Sequence, residues 1–122
     1  MHTIQNMLDL SSKAITLAIL TLTAALISVQ TAVAADSTYS VVIQDHRFQP
    51  AELVVPAGQK IKLMVENRDS TPEEFESYDL NREKIIAGKS TTTIYVGPLK
   101  SGRYRFFGEF NPKTAQGVII AK

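Results

Sequence analysis

Thr71–Lys84, "TPEEFESYDLNREK", gathers Glu73, Glu74, Glu76, Asp79 and Glu83 into one short span. In a β-strand alternate side chains share a face, so Glu74 and Glu76 project together while Phe75 points the other way into a core. Neighbouring carboxylates repel, and burying them without a counterion is costly. A cation bound between them turns that repulsion into binding energy. Two other chemistries compete for the same residues. The first is a solvated strand face neutralised by Arg82, Lys84 or Arg68. The second is a glycosidase-type carboxylate pair, for which so small a domain offers little substrate cleft.

Four further residues bear on a metal site. Glu83 is either a ligand or the surface partner of Arg82 or Lys84. Glu109 is either a ligand or a loop carboxylate paired with Arg103 or Arg105. His46 lies in "DHRF" and is either a ligand or a turn histidine; the chain's other histidine, His2, belongs to its N-terminal segment. Met64 carries a soft thioether that suits Cu(I), but its place in an alternating strand favours packing. Oxygen donors with at most one imidazole fit Fe(II), Fe(III), Mn(II) and Cu(II), and do not fit Cu(I). Structural zinc requires Cys and His in fours, and the chain contains no cysteine. No nucleophile–base spacing occurs.

The elements that must position these residues occupy only part of the 122-residue chain. Ala14–Val29 is a run of apolar and hydroxyl residues after Lys13, followed by small residues. It reads as a secretory signal peptide cleaved after Ala34 or Ala35; an uncleaved membrane anchor is the competing reading. Residues 36–122 then form one domain. Its charges nearly balance, with 13 Lys and Arg against 12 Asp and Glu over the whole chain, and no basic run stands out, which argues against a nucleic-acid surface. Short apolar or alternating runs recur between Pro and Gly turns: "YSVVIQ", "AELVV", "KIKLMVEN", "EEFESY", "TTTIYV", "GRYRFF" and "GVIIAK". This spacing predicts an all-β, Greek-key-like sandwich or small barrel of about seven short strands. "NREKIIAG" reads as a single helical turn or a loop.

Local sequence resembles a cupredoxin in four ordered pieces: "FQPAELVVPAGQKIKLMVEN", "NRDSTPEEF", "GPLKSGRYRFFG" and "EFNPKTAQGVII". The resemblance implies a cupredoxin-like β-sandwich. A blue-copper site takes two His, a Cys thiolate and usually an axial Met. Matching that pattern residue by residue sets Glu73 or Glu74 at the first His, Gly108 at the Cys, Asn111 at the second His and Gln116 near the Met. A blue-copper centre is therefore excluded.

A narrower resemblance rests on "DHRFQP", "PEEFES", "LNREK", "GPLKSGRY" and "FFGEF…TAQG". These are similar to EfeO-type, or FtrB-like, cupredoxin components of bacterial periplasmic iron uptake. There carboxylates replace the His and Cys ligands around a Glu-aromatic-Glu core, here Glu74-Phe75-Glu76. The resemblance implies a periplasmic protein that binds an iron or copper ion, Fe(II)/Fe(III) or Cu(II). It further implies assistance to Fe(II) oxidation or handover to an iron permease, beside a periplasmic iron-binding partner protein, with membrane association only through a partner. Many relatives carry His where this chain has Asn111. The metal-site expectation is thus Glu74, Glu76, Glu83, Glu109 and His46. The alternative is a metal-free interaction module that docks through the acidic face onto a basic partner.

Overall fold

A computed structural model describes residues 27–30 and 37–122; the fold below is that of the unit spanning Ala34–Lys122. The expected signal-peptide run and its cleavage site lie largely outside the described residues. Nine strands form two sheets: β1 (Ser37–Gln44), β2 (Arg47–Gln49), β3 (Glu52–Val55), β4 (Ile61–Asn67), β5 (Glu73–Ser77), β6 (Arg82–Ile86), β7 (Ser90–Val96), β8 (Gly102–Gly108) and β9 (Gln116–Ala121). One sheet has the order β2-β1-β4-β7 and the other β3-β9-β8-β5-β6. The pairs β1–β4 and β3–β9 are parallel, and the remaining pairs are antiparallel.

The sandwich follows from period-two patterning. On β4, Ile61, Leu63, Val65 and Asn67 are buried while Lys62, Met64 and Glu66 are only partly covered. Phe75, Phe106 and Ile119 supply the facing layer from the other sheet. Phe106 stacks on Phe75 at 5.0 Å between centroids, and Phe48 meets both rings edge-on at 4.9 and 6.1 Å. Such pairs each contribute about 0.5–1.5 kcal/mol beyond the area they bury. Gly117, in β9, lets the Phe106 ring lie against the backbone: a Cβ there would lie 2.2 Å from the ring's Cζ.

Two strands exceed the sequence expectation. β2 is short because Asp45 and His46 both take positive φ, 54° and 57°, making a two-residue turn of the kind that matches strand twist. β6 replaces the expected helical turn or loop at Asn81–Gly88. Its first four residues are exposed and only Ile86 is buried, so no alternation announces it. It forms because β5 offers it a ladder, from Glu73↔Ile86 to Ser77↔Arg82.

Candidate metal centre

Strand β5 sorts the acidic stretch by side-chain direction. Phe75 is fully buried between the sheets, which sends Glu74 and Glu76 to the outer face of the five-stranded sheet. Glu83 stands directly opposite Glu76 on β6. One carboxylate oxygen from each of Glu74, Glu76 and Glu83 lies within 4.8 Å of the others. Oxygens around one cation, each about 2.0–2.6 Å from it, span such separations. Past the end of β8, the Glu109 amide donates to the Glu74 carbonyl at 2.9 Å, which sets Glu109 next to the group, but its carboxylate is not one of the three that converge within 4.8 Å.

Among the described residues no cationic side chain pairs with this group. Arg68 pairs with Glu66, at 3.0 Å, and the His46 ring nitrogen Nδ1 lies 3.6 Å from Asp69 Oδ2, an ion pair only when the ring is protonated. Arg82 donates instead to the carbonyls of Tyr95, Asn81 and Leu80. Arg103 and Arg105 form no ion pair with Glu109, and Lys84 forms none with Glu83. Glu74 is 9% exposed, and among the described residues no N–H group donates to its carboxylate. Its pKa is raised above the ordinary carboxylate value, first by a hydrogen bond with Glu83 that needs a shared proton, then by burial, then by the charges of Glu83, Glu76 and Glu109. Glu76 is raised by burial first, then by Glu83 and Glu109. The geometry therefore concentrates negative charge and leaves it uncompensated.

The remaining acids of the stretch have structural partners. Asp79 accepts the Arg105 amide at 2.8 Å, tying the β5–β6 turn to β8. Glu73 faces inward and is 1% exposed. Its Oε1 accepts the amides of Glu74 and Phe110, both at 2.9 Å, and its Oε2 accepts Asn111 Nδ2 at 2.8 Å. A Cβ built on Gly108 would lie 2.6 Å from Glu73 Cδ and 2.8 Å from its Oε1. Glu73, not Glu74, therefore sits among Gly108 and Asn111, the residues matched to the Cys and second His of a blue-copper pattern. A carboxylate saturated by three donors, a glycine and an amide do not make such a centre.

His46 is placed on the β1–β2 turn, in the other sheet from the carboxylates. Its amide donates to Asp69 Oδ2 at 3.0 Å, and the Asp45 amide donates to Oδ1 at 2.8 Å. Asp69, first through the His46 amide, is held below the ordinary carboxylate range. His46 is not brought together with Glu74, Glu76 and Glu83. Met64 is half-buried on the outer side of β4. The role of Glu73 escaped residue-type reasoning, because a third glutamate in a run of acids looks like another surface charge. The available signal was Gly108 and Asn111 standing where the family pattern has ligands.

Comparison with known proteins agrees with this architecture. The cupredoxin-like domain family matches residues 16–121. The chain belongs to that family. An uncharacterized protein of Rickettsia prowazekii (strain Madrid E) is 49% identical over 80 residues, covering 66% of this chain and 64% of that protein. The chain thus spans somewhat less than two thirds of that relative's length. Among solved structures, auracyanin A, a blue copper protein from Chloroflexus aurantiacus, superposes with a TM-score of 0.63 at 13% identity, covering 72% of this chain and all of auracyanin A. A purple cupredoxin from Nitrosopumilus maritimus gives 0.53 at 18% identity, with 71% of this chain and all of that one covered. Amicyanin from Paracoccus versutus gives 0.56 at 17% identity, covering 75% and 86%. At these identities the likeness establishes the fold. The cupredoxin fold typically carries copper; this cupredoxin-like domain has no cysteine to supply a thiolate.

Proposed function

We propose that this protein is an exported metal-binding component of a bacterial iron-uptake system. It holds an iron or copper(II) ion on the outer face of the five-stranded sheet and assists Fe(II) oxidation or delivery to a permease. The observation that carries the metal reading is the convergence of Glu74, Glu76 and Glu83 within 4.8 Å, with Glu74 only 9% exposed and, among the described residues, no cationic side chain paired to them. The all-oxygen donor set suits hard or borderline ions. The iron-uptake context and export rest on the EfeO-type sequence pattern and the signal-peptide-like N-terminus; the permease and periplasmic iron-binding partners belong to that same reading. Among the described residues no helix is long and apolar enough to cross a membrane.

A second reading, a metal-free docking module, draws support from the exposed Tyr78, Ile85 and Phe110, at 79%, 60% and 47% exposure, which flank the acidic group along the chain. Calorimetric titration of the mature protein with Fe(II) under anaerobic conditions, Mn(II) and Cu(II) separates the two. The metal reading expects at least one ion to bind more tightly than about 1 mM, with loss of binding in Glu76→Gln. Failure of all three ions leaves the docking module as the better account.

A further inference from the structure

We propose that Glu73 is the positioning residue of the metal site, locking the 108–115 loop onto β5 so that Glu109 is presented beside Glu74. The inference rests on the metal reading and deepens it, because Glu73 itself cannot be a ligand there. Its carboxylate faces the interior and is 1% exposed, and both of its oxygens are already engaged.

The lock is a set of three hydrogen bonds that spans two segments far apart in sequence. Oε1 receives one amide from β5 itself, Glu74, and one from the loop, Phe110. Oε2 receives the Asn111 side chain. The loop closes on itself through Asn111, whose carbonyl accepts the Ala115 amide at 2.9 Å, and through the Gly108 amide, which donates to the Ala115 carbonyl at 2.8 Å. Gly108 is bare where the Glu73 side chain needs the space. Glu109 lies between Gly108 and Phe110, so its backbone is fixed on both sides by contacts to Glu73 and by the hydrogen bond its own N–H donates to the Glu74 carbonyl. Without the lock, a residue carrying one more negative charge would be driven away from Glu74 and Glu76 by repulsion. With it, the Glu109 backbone stays paired with Glu74, and its charge stays next to the three converging carboxylates. Hydrogen-bonded groups behind a ligand commonly set metal affinity in this way, their loss costing about 10–100-fold.

The donors and acceptors allow a reciprocal test. In Asn111→Asp a second carboxylate faces Glu73 Oε2, and the loop is pushed outward with Glu109. Mn(II) affinity, read by calorimetry, falls about ten-fold or more. Simple attraction predicts the opposite, since the variant adds negative charge near a cation site. Glu73→Gln keeps an oxygen for the two amides and offers Nε2 to the Asn111 oxygen after its amide rotates, but a neutral acceptor holds the two amides less tightly than a carboxylate, so its affinity falls, by less than in Asn111→Asp. In the double variant, Glu73→Gln with Asn111→Asp, the introduced glutamine donates its Nε2 to the introduced aspartate and affinity recovers. Hydrogen exchange of the Phe110 amide follows the same order: slowest in the unmodified protein, intermediate in Glu73→Gln and in the double variant, and fastest in Asn111→Asp. If Asn111→Asp does not fold, Asn111→Ala removes one donor without adding charge and shows a smaller loss of affinity with faster Phe110 exchange.

Mn(II) affinity that is unchanged or increased in Asn111→Asp, or no recovery in the double variant, overturns the positioning role. Absence of Mn(II), Fe(II) and Cu(II) binding to the unmodified protein removes the metal reading instead, and Phe110 exchange then decides the lock by itself.

Discussion

Glu76 and Glu83 face each other directly across the β5–β6 ladder. Side chains so placed have Cβ atoms about 4.5–5.5 Å apart, and like charges there are destabilising. Lys84 stands one position away, opposite Phe75. Sliding β6 by one residue would set Lys84 against Glu76 and cancel the repulsion, but it would also turn buried Ile86 to the outer face, because side chains alternate with period two. Core burial therefore fixes a register in which two carboxylates confront each other. A third, Glu74, is drawn into the same group.

The hydrogen bond between Glu74 and Glu83, the burial of Glu76 and then the repulsion within the group set how the metal-free protein responds to pH. The pKa values of Glu74 and Glu76 are raised in the folded state. Groups raised on folding contribute stability that is fully present below the unfolded value, about 4.3 for Glu, and is lost as pH rises through the folded value. The apo protein should accordingly gain stability, from these two groups, as pH falls from 7 towards 5. Thermal melts across that range check it, and Mn(II) should flatten the trend by raising the melting temperature most at pH 7. Apo stability that falls steadily over the same interval contradicts the uncompensated cluster.

Replacing one member separates repulsion from hidden salt bridging. Glu76→Gln removes a charge opposite Glu83 while keeping the shape of the side chain. It should raise the melting temperature of the apo protein and abolish the metal-induced increase. A lower apo melting temperature in Glu76→Gln would mean that the carboxylate was held by a cationic partner in solution.

Asp69 carries the opposite sign. It is lowered, first by the amide of His46, and further by the amide of Asp45 and by the charges of His46 and Lys89. Its contribution is present above the unfolded value, about 3.9 for Asp, and is lost as pH falls through the folded value. Asp69→Ala leaves two turn amides without their acceptor and should cost about 1–3 kcal/mol in chemical denaturation at neutral pH. The deficit should shrink when the comparison is made in strong acid. A cost that is constant with pH would place the effect in packing.

Copper, if bound, should give a weakly coloured protein. The intense visible absorption of a blue-copper site needs a Cys thiolate, and the chain has no cysteine. Optical titration with Cu(II) should therefore show only weak ligand-field bands. An intense charge-transfer band in the visible would refute oxygen ligation.

How much of this was legible in the sequence depends on which force places each residue. The alternation of Ile61, Leu63 and Val65 and the pairing of Glu74 with Glu76 on one face follow from strand period and were readable directly. The strand at Arg82–Ile86 was not, because an edge strand with four exposed residues carries no hydrophobic period and exists only through its neighbour's ladder. The two roles within "EE" were equally hidden. Glu73 is buried with three donors and Glu74 is buried with none, a difference set by a loop 37 residues further along the chain. His46 shows the converse limit: its residue type suits a ligand, but its positive φ commits it to a turn in the other sheet.

Two glycines test the packing that these arguments assume. Neither Gly108 nor Gly117 has positive φ, so alanine at either site meets a steric and not a backbone obstacle. At Gly117 the new methyl would lie 2.2 Å from Cζ of the Phe106 ring, which is stacked on Phe75 and met edge-on by Phe48. At Gly108 it would lie 2.6 Å from both Ala115 Cβ and Glu73 Cδ, where the loop can give way outward. Overpacking of this kind costs about 1–3 kcal/mol, occasionally more. Gly117→Ala should sit at the upper end because it strains the aromatic core. Gly108→Ala should cost less stability but should also weaken Mn(II) binding, since the displaced group is the Glu73 lock. Chemical denaturation and calorimetry on the two variants measure both quantities. Gly108→Ala with unchanged stability and unchanged Mn(II) affinity would show that the 108–115 loop does not press on Glu73 as described.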